Sequence, residues 1–184
     1  MHYSTDYVFD GTRELHREDE PVAPLGVYGQ SKAAGELAAA GTPRHYVLRT
    51  SWVIGDGANF VRTMASLADR GISPSVVDDQ HGRLTFADEL ARATVHLLAS
   101  GAAYGTYHVS NGGPATTWAD IAREVFRLRG RDPQDVTGVS TEDYFAGKAA
   151  APRPRHSTFD LAKLEATGFT PTDASASLSS YAAD

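Results

Sequence analysis

Apolar residues recur at helical spacing in three stretches of the chain. Residues 59–70 carry Phe60, Met64, Leu67 and Ala68 and stop at Gly71. Residues 86–100 carry Leu90, Ala93, Leu97 and Leu98, and residues 117–128 carry Ile121, Val125 and Leu128. Each predicts an amphipathic helix. A fourth helix is predicted over residues 26–40 from its Ala, Glu, Lys and Leu content, ended by Gly41-Thr42-Pro43. Between them lie β-branched and aromatic runs at residues 2–10, 45–54, 74–77 and 105–109. The first run closes on the turn signal Asp10-Gly11 and leads into residues 12–25, a charged stretch with Pro21 and Pro24 that reads as a surface loop. The last dozen residues, rich in Ala and Ser, read as a weak helix or a frayed tail. Strands alternating with helices of this length imply an α/β fold with a mostly parallel sheet.

Composition narrows the partners. The 184 residues carry a net charge of -6, with 22% charged residues scattered along the chain, so neither nucleic acid nor an anionic membrane is expected. No apolar run approaches the roughly 20 residues of a membrane span. With no cysteine, thiolate metal sites and a Cys nucleophile are excluded, and a cytoplasmic location is compatible. Asp78-Asp79 beside His81 lacks zinc-ligand spacing, so turn hydrogen bonding is expected there and no metal is assigned.

Chemistry concentrates in Tyr28-Gly29-Gln30-Ser31-Lys32. On a helix, residues four apart share a face, so the phenol and the ammonium point the same way. A neighbouring cation favours the phenolate, which suits a tyrosine that passes its proton to a carbonyl oxygen as hydride reaches the carbon. An exposed Tyr and Lys one turn apart would give the same spacing, so the motif alone is weak. Ser4-Thr5-Asp6 strengthens it, because hydroxyls at strand ends stand where α/β folds bind ligands. Thr5 could donate a hydrogen bond to the same carbonyl oxygen.

Together, Ser4-Thr5-Asp6-Tyr7-Val8-Phe9-Asp10-Gly11, Pro24-Leu25-Gly26-Val27-Tyr28-Gly29-Gln30-Ser31-Lys32 and Gly35-Glu36 resemble the extended short-chain dehydrogenase/reductase family. Leu48-Arg49-Thr50-Ser51-Trp52-Val53, Asn59-Phe60-Val61, Val77-Asp78-Asp79-Gln80 and the late Arg153-Pro154, Ser157 and Asp160 narrow the resemblance to its dTDP-4-dehydrorhamnose reductases. The resemblance runs from about residue 3 to residue 165. It implies NADPH (or NADH) as cofactor and a dTDP-sugar as substrate. Tyr28 is implied as the acid, Lys32 as its electrostatic partner and ribose ligand, and both as cofactor-binding residues. Thr5 becomes the carbonyl-binding hydroxyl, Thr5 and Asp6 sugar contacts, and Trp52 a platform for the sugar's apolar face. By itself Trp52 reads equally as a core aromatic at a strand end. Arg153 is balanced between a diphosphate ligand and a solvated loop residue.

The family's fold opens with a strand, a glycine-rich turn and a helix N-terminus that receives the cofactor pyrophosphate. The nearest match, Gly55-Asp56-Gly57-Ala58-Asn59-Phe60, ends in Phe and follows a late strand, so it reads as a loop. Arg83-Leu84-Thr85 and His156 also depart from the family's pattern. The chain is therefore expected to be one truncated reductase domain, the carboxyl-terminal part of a Rossmann-like doubly wound parallel sheet with a small substrate-binding α/β portion. Residues 1–55 or so would be the remainder of the Rossmann core, and residues 56–184 mostly the substrate-binding portion. Its expected partners are an N-terminal half or a second copy of the chain. Another nucleotide-sugar reductase or epimerase, or a regulatory binding subunit, are the alternatives left open.

Overall fold

In the computed structural model, residues 1–183 are described. The first half contains β1 (His2–Thr5), α1 (Val27–Ala40), β2 (Tyr46–Thr50), β3 (Val53–Ile54), α2 (Phe60–Asp69), β4 (Ser75–Val77), β5 (His81–Gly82) and β6 (Thr85–Phe86). The second half contains α3 (Ala87–Ala99), β7 (Gly105–His108), β8 (Thr116–Thr117), α4 (Trp118–Leu128), β9 (Thr137–Val139), α5 (Thr141–Phe145), α6 (Ala162–Glu165) and α7 (Ala174–Ala183). The main sheet runs β1-β2-β7, all parallel. Two-stranded ladders join β3 to β6 and β4 to β9 in parallel, and β5 to β8 antiparallel.

Every residue of β2 is buried, as a parallel strand with a neighbour on each side requires. Its side chains alternate between two layers. Tyr46 and Leu48 pack with Ala93, Leu97, Tyr107 and Leu164, on the side covered by α3 and α6. Arg49 points the other way, towards α1. A second core forms from α2, α4 and α7, where Val61, Met64, Ile121, Val125, Phe126 and Leu178 pack together under β3 and β6.

Several expectations change in three dimensions. The strand expected over residues 2–10 ends at Thr5, because its hydroxyl accepts the Tyr7 N–H at 3.2 Å and caps one turn of 3₁₀ helix over Asp6–Val8. The loop at residues 12–25 is not all surface. His16 is fully buried, stacks on Phe9 at 4.4 Å, and shares a hydrogen bond of 3.0 Å between its Nδ1 and a Glu20 carboxylate oxygen. Leu98, placed on the apolar face of its helix, is 63% exposed, since Leu97 takes the inward position. The chain's last stretch is helical, anchored by Leu178. Beyond residue 55, β7 returns to the main sheet beside β2.

One buried ion pair ties β1, α1 and β2 together. Arg49 donates from Nε to Glu36 Oε1 at 2.9 Å and from Nη2 to Glu36 Oε2 at 2.7 Å, a two-pronged pairing. Ser4 on β1 donates to the same carboxylate at 2.5 Å, and Arg49 Nη1 reaches the Glu18 carbonyl at 3.3 Å. Beyond them His108 is fully buried, stacked on Phe159 at 4.1 Å, with neither ring nitrogen hydrogen-bonded. Burial first, and the nearby Arg49 and His16 second, hold its pKa well below 6.5.

Two outcomes follow from this arrangement. Glu36→Ala strands a buried guanidinium and is expected to cost about 3–5 kcal/mol in urea unfolding, most of it recovered in the Glu36→Leu/Arg49→Met double variant. A double variant no more stable than the single one would show that the pair does more than neutralise itself. Below its ordinary pKa, His108 is protonated in the unfolded chain but not in the folded one. Stability should therefore fall as pH drops from about 7.5 to about 5.5, and His108→Phe should flatten that slope.

Candidate active site

The cleft opens at the carboxyl ends of β1 and β2, where parallel α/β sheets bind ligands. Its volume is about 500 Å³, and it is lined by Ser4, Thr5, Asp6, Tyr7, Tyr28, Thr50, Ser51, Trp52, Val53 and Trp118. Thr5 arrives as the last residue of β1. Asp6 turns inward in the 3₁₀ turn, while the ring of Tyr7 meets that of Tyr28 edge to face at 5.7 Å and 78°. The start of α1 is pressed so close that a Cβ on Gly29 would lie 2.1 Å from the Tyr7 carbonyl oxygen. Only glycine allows this approach, and it brings the Tyr28 phenol beside the Thr5 turn.

From the other strand come Thr50, Ser51 and Trp52. Trp52 is the one non-glycine residue with positive φ among the described residues, at 47°. This left-handed residue makes the bend between β2 and β3. Its indole stacks on Trp118 at 4.0 Å.

Four residues singled out from the sequence thus share one cleft: Thr5, Asp6, Tyr28 and Trp52. Two do not line it. The Lys32 ammonium, expected against the phenol, donates to the Tyr3 carbonyl on β1, which lies at the edge of the main sheet. Tyr28 is 57% exposed, and its hydroxyl forms no hydrogen bond with any described residue. Arg153 is exposed, its guanidinium 5.0 Å from the centroid of the Phe145 ring and next to Tyr7. Tyr7, Ser51 and Trp118 were not anticipated. Tyr7 adjoins the motif, but nothing local marks Trp118, which only folding brings to Trp52.

Asp6 is nearly fully buried. Its Oδ1 accepts from the Thr5 hydroxyl at 3.0 Å, and its Oδ2 has no partner. Burial raises its pKa above the usual carboxylate range, offset in part by Ser157, Thr5, its own backbone N–H and Ser51. Thr50 Oγ1 and Ser51 Oγ are also buried without partners. The floor of the cleft therefore holds unspent hydrogen-bonding capacity. Asp78 and Asp79 serve as loop acceptors, as anticipated. Asp78 takes the Thr117 hydroxyl at 3.1 Å, and Asp79 takes the Thr141 N–H at 2.9 Å. Another opening of about 500 Å³, lined by Ile54, Asp56, Asp88 and Tyr181 among others, offers no comparable proton donor beside a buried hydroxyl.

The model of the RmlD substrate binding domain matches residues 1–184. The chain belongs to this family. Among RmlD-type relatives, dTDP-4-dehydrorhamnose reductase of Streptomyces griseus is 41% identical over 179 residues, covering 93% of this chain and 58% of that protein. A Streptomyces antibioticus protein named as a probable dTDP-4,6-dihydroxy-2-methyloxan-3-one 4-ketoreductase is 39% identical over 174 residues, covering 93% and 58%. The crystal structure of dTDP-4-dehydrorhamnose reductase from Bacillus anthracis in complex with NADP superposes with a TM-score of 0.87 at 37% identity, covering 98% of this chain and 63% of that one. The chain thus spans about three fifths of the length of these RmlD relatives. Among the described residues, no helix is long and apolar enough to cross a membrane.

The raised pKa of Asp6 fixes the sign of a pH effect. Its contribution to stability is full below the pKa of an unfolded aspartate and is lost as pH rises through the folded value. Asp6→Asn mimics the protonated side chain. Its urea midpoint relative to the native sequence should therefore rise between about pH 4 and about pH 8, and a constant difference would place a charged Asp6 in the folded chain throughout.

Proposed function

We propose that this chain supplies the proton-donating and sugar-binding part of an NADPH-dependent reductase. Its substrate would be dTDP-4-dehydro-6-deoxy-L-mannose (dTDP-4-dehydrorhamnose), reduced at C4 to give dTDP-L-rhamnose. The observation that carries this reading is that Tyr28 and Thr5 line one cleft that is also walled by indole. The family membership and the relatives' names support it. A soluble, cytoplasmic setting suits such biosynthetic chemistry.

In the reaction, a hydride adds to the carbonyl carbon and a proton to its oxygen, turning C=O into CH–OH. Tyr28 donates that proton. Its hydroxyl has no competing partner among the described residues and stands at the exposed mouth of the cleft. Thr5 steadies the developing oxyanion by hydrogen bonding. Its proton is directed at Asp6. A neutral Asp6 can reverse that bond, donating to Thr5 Oγ1 and freeing the Thr5 proton for the ketone. This gives burial of Asp6 a chemical purpose.

Tyr28 and Lys32 are the residues that would hold the ribose of the nicotinamide cofactor, which when bound supplies the hydride. Lys32 fits this role, because an ammonium has three donors and the Tyr3 carbonyl occupies one. Arg153, beside Tyr7, is the candidate for the nucleotide diphosphate, where a guanidinium can pair with two oxygens at once. A second reading, reduction of a related dTDP-4-ketosugar, is favoured by the Streptomyces antibioticus relative.

Tyr28→Phe tests the assignment. In the assembled enzyme, with NADPH and dTDP-4-dehydrorhamnose, turnover should fall by about 10²–10⁴-fold while affinity for dTDP-L-rhamnose stays close to native. Turnover that is undiminished would remove Tyr28 from the acid role.

A further inference from the structure

Trp52 is the indole that the sequence marks for the sugar, yet the fold covers both of its faces. Trp118 stacks on it with planes 20° from parallel and centroids 4.0 Å apart. On the other side, a Cβ on Gly82 would lie 2.8 Å from both Cε2 and Cζ2 of Trp52, and 3.2 Å from Cδ2. Such similar distances to three neighbouring ring atoms put the Gly82 backbone over the ring plane rather than at its rim. Two groups this close cannot share one face, so Trp118 holds one side and Gly82 the other. Trp52 can therefore offer a pyranose only its edge.

The other aromatic wall of the same cleft is Trp118. It is the first residue of α4, directly after a capping box in which the Thr117 hydroxyl accepts the Asp120 N–H and the Asp120 carboxylate accepts the Thr117 N–H. Phe60 braces its ring at 4.7 Å and 63°. Trp118, like Trp52, is only partly buried and lines the cleft that holds Thr5 and Tyr28; what separates the two rings is the Gly82 backbone over the second face of Trp52.

We propose that Trp118 is a specificity-determining residue for the sugar: it presents the apolar surface that receives the carbon face of a 6-deoxyhexose, and Trp52 is the fixed base on which it stacks. The proposal rests on the nucleotide-sugar reading above. A deoxysugar suits this wall, because an indole offers one N–H donor and no acceptor, and a methyl at C6 asks for neither. The left-handed backbone of Trp52 and the bare backbone of Gly82 then serve one purpose, to hold the lower indole flat beneath the upper one.

The chain has only 2 tryptophans, both in this stack, so indole spectroscopy reports on this cleft alone. The native chain is titrated with dTDP-L-rhamnose and, separately, with dTDP. Tryptophan fluorescence and the circular-dichroism couplet of the stacked indoles are followed. The sugar nucleotide should change both signals, and dTDP should leave the couplet unaltered. Trp118→Phe should weaken dTDP-L-rhamnose binding by about tenfold while holding dTDP affinity within about twofold. Equal affinities in native and variant chains, or an equal loss for both ligands, would make Trp118 a structural brace and overturn the proposal. Should Trp118→Phe fail to fold, the native chain still decides: dTDP-L-rhamnose bound with an undisturbed couplet refutes it. A native chain that binds neither ligand would instead sink the nucleotide-sugar reading itself, and this inference with it.

Discussion

The pairing of Glu36 with Arg49 fixes the relation on which the site depends. Glu36 stands on α1, the helix that carries Tyr28 and Lys32, and Arg49 on the central strand β2. Ser4, next to Thr5, completes the cluster from β1. Three elements are thereby clamped at one point about two turns of helix from Tyr28. Both charged side chains are almost fully buried, where an unmatched charge is expensive, so a shifted α1 has no cheap alternative partner. The Tyr28 and Thr5 side chains owe their places on one cleft to this pair and to the absence of a side chain on Gly29.

Burial acts in opposite directions on two groups near this clamp. In each case the charged form is penalised, so Asp6 is driven towards its neutral acid and His108 towards its neutral imidazole. Asp6 lies under the cleft and touches Thr5, so its protonation bears on the hydrogen bond offered to a ligand. His108 lies between Phe159 and Phe9, behind the clamp, so its protonation bears on folding. The same physical effect thus favours the uncharged form of both groups at neighbouring places in one sheet.

Aromatic stacking does for the Trp52 wall of the cleft what the ion pair does for the Tyr28 wall. β3 and β6 carry the chain from the main sheet into the second core, and the bend before β3 is made by Trp52. Its ring closes against Trp118 at the start of α4, the helix most deeply set in that core. The two packing units of the chain therefore meet at the cleft wall, and the wall inherits the rigidity of both.

The sequence determined by itself whatever depends on neighbours along the chain. Helical periodicity placed α2, α3 and α4, the run Tyr46-Val47-Leu48 marked the central strand, and Tyr28 with Lys32 marked one face of α1. Thr5, Asp6, Tyr28 and Trp52 were legible as candidates because they sit in contiguous motifs. Ladders of two or three residues such as β5, β8 and β9 were not, since they are too short to carry a period and exist only as pairs. Tertiary structure alone decided the rest: that Lys32 spends a donor on Tyr3, that Arg153 lies over Phe145, that His16 leaves its loop for the core, and that Trp118 covers Trp52. Except for Arg153 and Phe145, which stand eight residues apart, these are contacts between residues distant in the chain, and local propensity holds no information about which distant surface a side chain will meet once the cores have closed.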